Sequence, residues 1–223
     1  MSTVSIRPPT RREEYAEATR KAIVEAARKL FCASGYFGTK VEDIAAEARV
    51  SPATIYAVTG GKQGLLQTLM DMGTAAPNVA ATHEAIAATQ DPVEVIDRTA
   101  RGIRRVREGF GDIARVIIQT APHDESAAET YAVAVKRYRD ALAVTAQRLA
   151  DLDALREGMG VERATDILWF YFGFAGLDTL IKDNGWDCDS AEKWLAQQAR
   201  KALLRSAQDC ANGSRSPARQ SAD

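Results

Sequence analysis

Apolar residues recur at helical spacing along most of the chain, and nowhere do they alternate as a strand would require. From Glu13 the positions Tyr15, Thr19, Ile23, Ala26 and Leu30 fall on one face, and Gly35 stands where a left-handed residue ends such a helix. Thr39 then opens a second helix, with Glu42 three residues on as its capping box and Val41, Ile44, Ala45 and Ala48 as its apolar face. After a short turn at Val50, Ser51 caps a third helix with Pro52 at its first position, and Ile55 and Val58 point inward. Gly60 and Gly61 break it. A fourth helix runs from Lys62 to Met72 on Leu65, Leu66 and Leu69.

Further helices are expected over Val93 to Arg107, Asp112 to Gln119, Asp124 to about Leu155, Val161 to Lys182 and Ala191 to about Ser206. Pro8–Pro9 and the arginines around them predict a flexible basic arm over residues 1–12, and the polar stretch 207–223 predicts a disordered tail. The chain therefore reads as all-α, with about nine helices. Residues 13–61 are expected to form a three-helix domain of helix-turn-helix proportions, and 62–206 a second helical domain.

Charge refines this only a little. The 223 residues carry a net charge of −1, but residues 1–73 hold more basic than acidic groups, which permits a nucleic-acid partner without demanding one. The 3 cysteines share no ligand-like spacing, so neither a disulfide framework nor a metal site is expected. Ile167 to Leu177 is about half the length of a membrane span, and the N-terminus has no apolar signal core. A cytoplasmic protein without membrane association or cofactor is expected. Signatures of catalysis are missing too: only 2 histidines occur, with no nucleophile elbow or dinucleotide fingerprint, so no enzyme is expected.

The turn Ala48–Arg49–Val50–Ser51 gives the second and third helices the proportions of a helix-turn-helix, whose second helix offers its first residues to the major groove. A plain helical bundle explains the apolar spacing equally well. It does not explain why so short a helix exposes only small groups and one tyrosine. The stretch "AIVEAARKLFCASGYFGTKVEDIAAEARVSPATIYAVTGGKQGLL", residues 22 to 66, resembles the N-terminal domain of TetR-family transcriptional regulators, through "AARKLF", "GYFGT", "VEDIAAEARVS", "TIY" and the following lysine. The remainder agrees with that family only in helical layout.

The resemblance implies a homodimer on a near-palindromic double-stranded DNA operator, its recognition helices about 34 Å apart. It implies phosphate contacts from Thr39, Lys40, Tyr56 and Lys62, and base-edge contacts from Ser51, Pro52, Ala53, Thr54 and Ala57. Arg7, Arg11 and Arg12 would reach a minor groove or stay a solvated tail. Two departures stand out. Thr59 replaces a core phenylalanine, its packing taken over by Val58 and Phe37, and Gln63 replaces a glutamate. The recognition helix also lacks Arg, Asn and Gln, so direct hydrogen-bond readout from it should be sparse.

For the second domain the resemblance implies an unidentified small-molecule effector that releases a repressor by tilting the fourth helix. Candidate effector contacts are Phe110, Tyr131, Tyr138, Trp169 and Phe172, with Arg104, Arg105 and His123 as polar handles. Plain core accounts for each aromatic too, and "RGIRRVR" reads as a solvated face. Phe170, Phe174, Leu177, Trp194, Leu195 and Ala202 are the candidate dimer contacts. A helical small-molecule-binding or interaction protein without useful DNA recognition is the alternative.

Overall fold

The computed structural model describes residues 10–75 and 77–205, so Arg7 and the tail 207–223 lie outside the described residues. The described chain is helical throughout, its one β-type feature an isolated antiparallel bridge between Leu155 and Leu204. In order come α1 (Arg11–Gly38), α2 (Val41–Ala48), α3 (Pro52–Thr59), α4 (Lys62–Thr74), α5 (Pro77–Ala88), α6 (Pro92–Thr120), α7 (Glu125–Asp151), α8 (Val161–Phe172), α9 (Phe174–Asp178) and α10 (Cys188–Leu203). No described helix is long and apolar enough to cross a membrane.

Contacts divide the chain into two compact units. The first comprises residues up to Gly73 together with Phe110–Val133, and the second Thr74–Gly109 together with residues from Ala134 onward. In the first, Ile23, Ala27 and Phe31 of α1, Ile44 of α2, Ile55 of α3, Leu65 and Leu69 of α4 and Ile117 of α6 are almost wholly buried. The second closes around Ile86, Ile96, Leu142, Leu149, Leu168, Phe172, Leu195 and Leu203.

Several helix boundaries differ from the sequence reading. Val93–Arg107 and Asp112–Gln119 are one helix, α6. Gly109 and Gly111 do not interrupt it, since each costs only about 1 kcal/mol in a helix while Ile113, Ala114, Val116 and Ile117 just beyond them are buried. The expected helix Val161–Lys182 is broken at Gly173, whose ψ of −178° ends α8. Five residues of α9 and a π-helical turn, Thr179–Asp183, follow. The last helix begins at Cys188 because Asp187 caps it, accepting from the Ser190 amide at 2.9 Å.

Gly35 has the positive φ expected of it, 73°, but with ψ 166° it kinks α1 rather than ending it, and one further turn follows before Thr39. The second helix is capped one residue later than its sequence suggests. The Thr39 hydroxyl is already donated to the Gly35 carbonyl at 2.8 Å, so the Lys40 amide donates to Asp43 instead, at 3.1 Å.

Candidate nucleic-acid interface and effector site

The helix-turn-helix is set by local chemistry. Arg49 ends α2 in the left-handed conformation (φ 56°), and the Val50 amide returns to the Ala45 carbonyl at 2.9 Å. Ser51 starts α3: its hydroxyl accepts from the Thr54 amide at 3.1 Å and pairs with the Thr54 hydroxyl at 2.8 Å. Ile55 is buried and anchors the helix, which leaves Ser51, Pro52, Ala53, Tyr56 and Ala57 exposed and Thr54 half-buried. Tyr56 is 58% exposed, and its ring lies against Gly61. A Cβ on Gly61 would come within 2.9 Å of that ring, and φ there is +88°. Gly61 therefore sets where the Tyr56 hydroxyl can stand.

Other members of the expected DNA set are placed less simply. Lys40 is exposed at the start of α2. Thr39 is only 2% exposed, with its hydroxyl spent on Gly35. The Lys62 ammonium donates to the Tyr36 carbonyl at 2.6 Å and stands 4.3 Å over the Tyr36 ring. Burial holds its pKa below the ordinary lysine value, partly offset by the charge of Asp124. Lys62 thus clamps the end of α1.

Phe37 does not replace the missing phenylalanine. It is 58% exposed and lies edge-to-face with Tyr36 at 5.5 Å. Thr59 instead donates its hydroxyl to the Ile55 carbonyl at 2.8 Å, so the polar group is satisfied within α3. Also in the first unit, Arg28 forks onto Asp112 with bonds of 2.9 and 2.8 Å and lies over the Phe110 ring. Burial, with Asp112 beside it, lifts the Cys32 thiol to about 11.

The expected effector residues do not all belong to one unit. Phe110, His123 and Tyr131 fall in the first; Arg104, Arg105, Tyr138, Trp169 and Phe172 fall in the second. His123 and Arg105 are exposed. Arg104 is engaged by Glu108, Asp189 and Glu192. Phe172 is 1% exposed, as plain core would be. Tyr138 donates its hydroxyl to the Phe172 carbonyl at 2.6 Å, and its ring meets Trp169 and Phe174 edge-on, each at 5.4 Å.

The residues expected at a dimer contact differ in their exposure. Phe174 packs inside the second unit, and Leu177 and Leu195 are buried there, at 4% and 3% exposure. Phe170, at 75% exposed, and Trp194, at 39%, face outward, the latter edge-on to Trp186 at 5.9 Å. Ala202 lines a groove with Phe170, Ile167 and Tyr171, rimmed by Glu162, Arg163 and Asp166.

Residues 23–69 match the family model of the bacterial regulatory proteins, tetR family. The N-terminal domain is of the tetR family. No curated protein matches the chain by sequence. Among solved structures, the chain is similar to NalD of Pseudomonas aeruginosa, the secondary repressor of the MexAB-OprM multidrug efflux pump, with 23% identity over 86% of this chain and 98% of that one and a TM-score of 0.69. It is similar to FadR of Bacillus subtilis in complex with stearoyl-CoA, at 17% identity, 82% and 98% coverage and a TM-score of 0.69. PfmR of Thermus thermophilus, a TetR-family transcriptional regulator, gives 23%, 82%, 99% and 0.62. At these identities the likeness extends the tetR-regulator fold to the chain beyond residue 69.

One residue of the tetR-type fold escaped the sequence reading. Arg107 belongs to the arginine run read as a solvated face, yet its side chain is only 12% exposed. It donates to the Phe174 carbonyl at 3.0 Å, pairs with Asp178, and lies 5.8 Å from the Phe174 ring centre. The pattern did hold a signal for this: Ile96, Ala100 and Ile103 are buried at spacings of four and three, and Arg107 is the next position on that stripe.

Proposed function

We propose that this protein is a ligand-responsive transcriptional regulator, a cytoplasmic homodimeric repressor released from a near-palindromic operator by a small molecule. One observation carries the reading: within a tetR-family domain, α3 buries Ile55 and turns Pro52, Ala53, Tyr56 and Ala57 to solvent as a free face. Small side chains let the helix backbone come close to base edges. The methyls of Ala53 and Ala57 suit thymine methyls, and sequence preference beyond that comes from DNA shape. Lys40 and the Tyr56 hydroxyl are the phosphate contacts, with Lys62 bracing the end of α1 behind them.

The exposed Phe170 and the groove holding Ala202 support dimerisation through α8 and α10. An effector would act through its differential affinity for the DNA-competent and released states, typically about 1–3 kcal/mol of coupling. The stearoyl-CoA in complex with the similar FadR supports a small-molecule ligand for this protein.

A second reading, a helical ligand-binding protein without useful DNA recognition, is favoured by the buried Thr39 and the engaged Lys62. Selection of bound DNA from a random pool, followed by salt titration, separates the two. A regulator enriches paired half-sites and loses affinity steeply as salt rises. No enrichment over input sinks the regulatory reading.

A further inference from the structure

The second unit keeps a cation in its interior that is incompletely satisfied. Arg107 Nη1 is buried and finds no hydrogen-bond partner among the described residues. Its other terminal nitrogen holds Asp178 and the Phe174 carbonyl. Asp178 is shared, since Lys182 also donates to it, at 2.7 Å. Two cations therefore face one carboxylate in a setting lined by aromatic rings, and a buried donor left idle is destabilising.

The groups now filling this place come from one short stretch of chain. The Phe174 ring sits edge-on to both Tyr138 and Trp169, at 5.4 and 5.7 Å, and the Asp178 carboxylate sits on the guanidinium. This stretch is weakly built. It follows the break at Gly173, spans five helical residues without a side-chain cap, and continues as a π-helical turn, a rare form frequent at functional sites.

We infer that Arg107, Tyr138 and Trp169 form a receptor for an aryl carboxylate, whose place the chain's own Phe174 ring and Asp178 carboxylate now occupy. This rests on the ligand-responsive reading above and names the effector's chemical class. A guanidinium fork matches a carboxylate bidentately, better than an alcohol or amide. The 5.8 Å between Arg107 Cζ and the ring centre fixes a short link between ring and acid, as in an arylacetate. The incoming acid takes the Nη1 donors that no described residue uses. Asp178 keeps Lys182 as its partner once Arg107 is released, so the exchange strands no carboxylate.

The test is calorimetric titration of the full-length, DNA-free protein with phenylacetate and with its neutral counterpart 2-phenylethanol. Phenylacetate should bind at least about tenfold more tightly than the alcohol. Arg107→Gln should lose at least that factor. Asp178→Asn, which removes the competing carboxylate, should gain several-fold in affinity, a direction that a purely structural role for the pair does not produce. If Arg107→Gln does not fold, the acid–alcohol contrast and Asp178→Asn decide. The inference is overturned by equal binding of acid and alcohol, by no saturable heat from the acid at millimolar concentration, or by a folded Arg107→Gln that binds as wild type does. Operator affinity with and without phenylacetate is measured separately. Acid that binds through Arg107 without weakening the operator complex keeps the receptor and overturns the regulatory reading. Intact DNA binding with no acid binding does the reverse.

Discussion

Two short helices, α3 and α9, are built in opposite ways. α3 is specified from within: Ser51 and Pro52 start it, Gly60 in the left-handed conformation ends it, and the buried Ile55 anchors it to the core. α9 has no such signals. It follows the break at Gly173, and it is held from outside by the Tyr138 and Trp169 rings against Phe174 and by Arg107 on Phe174 and Asp178. A locally specified helix can present a free face as a fixed tool. A helix pinned by distant partners depends on them for its position, which is what the proposed exchange with a ligand would use.

The largest expected effect tests how far α3 depends on the joint that follows it. Gly64 carries no side chain where a Cβ would stand 1.6 Å from the Thr59 carbonyl oxygen. Gly64→Ala should cost at least about 3 kcal/mol, because the obstacle is backbone. An unchanged denaturation midpoint would show that the joint relaxes freely.

Next comes the clasp on α9. Asp178→Asn should cost about 1–2 kcal/mol, reduced by its partial exposure. Burial alone would raise the Asp178 pKa, but the Lys182 hydrogen bond and the charge of Arg107 bring it below the ordinary carboxylate value. A depressed pKa gives stability that is present above the unfolded value, about 4, and is lost as pH falls through the folded value. Asp178→Asn should therefore flatten the acid limb of the stability–pH curve. A limb as steep as that of wild type would mean that Asp178 contributes nothing to it.

Removing the cap of α3 should cost less. Ser51→Ala is expected to lower stability by about 1 kcal/mol, measured as a shift in denaturant midpoint without a change in slope. The smallest effect on stability should come from Tyr56→Phe, within about 0.5 kcal/mol, since the ring stays against Gly61. Its effect belongs to function: affinity should fall by a similar factor, about tenfold, for every DNA sequence. Loss confined to particular sequences would make Tyr56 a base reader.

The contrast also explains what could be read in the chain. Ser51, Pro52 and Gly35 announce themselves because caps and left-handed positions depend on a few neighbouring residues. Thr39 and Lys62 could be placed near the right helices, but their roles could not, because the carbonyls of Gly35 and Tyr36 that claim them are fixed only when α1 ends. Phe170 and Phe174 look alike in "ILWFYFGFAGL", yet one is exposed and the other packed on Tyr138 and Trp169. The break at Gly173 turns them to different sides, and periodicity cannot count across a break.

By itself, then, the sequence determined that the chain is helical, where the helix-turn-helix lies, and which small residues α3 shows, since all of these follow from local propensity and spacing. Tertiary structure alone decided that α6 runs unbroken past Gly109 and Gly111, that α8 stops at Gly173, and that one arginine of an apparently solvated run is buried among aromatic rings. The physical reason is the range of the forces involved. Caps and turns act over three or four residues, whereas the burial of a stripe or a charge is settled by partners such as Tyr138 and Asp178, distant in sequence.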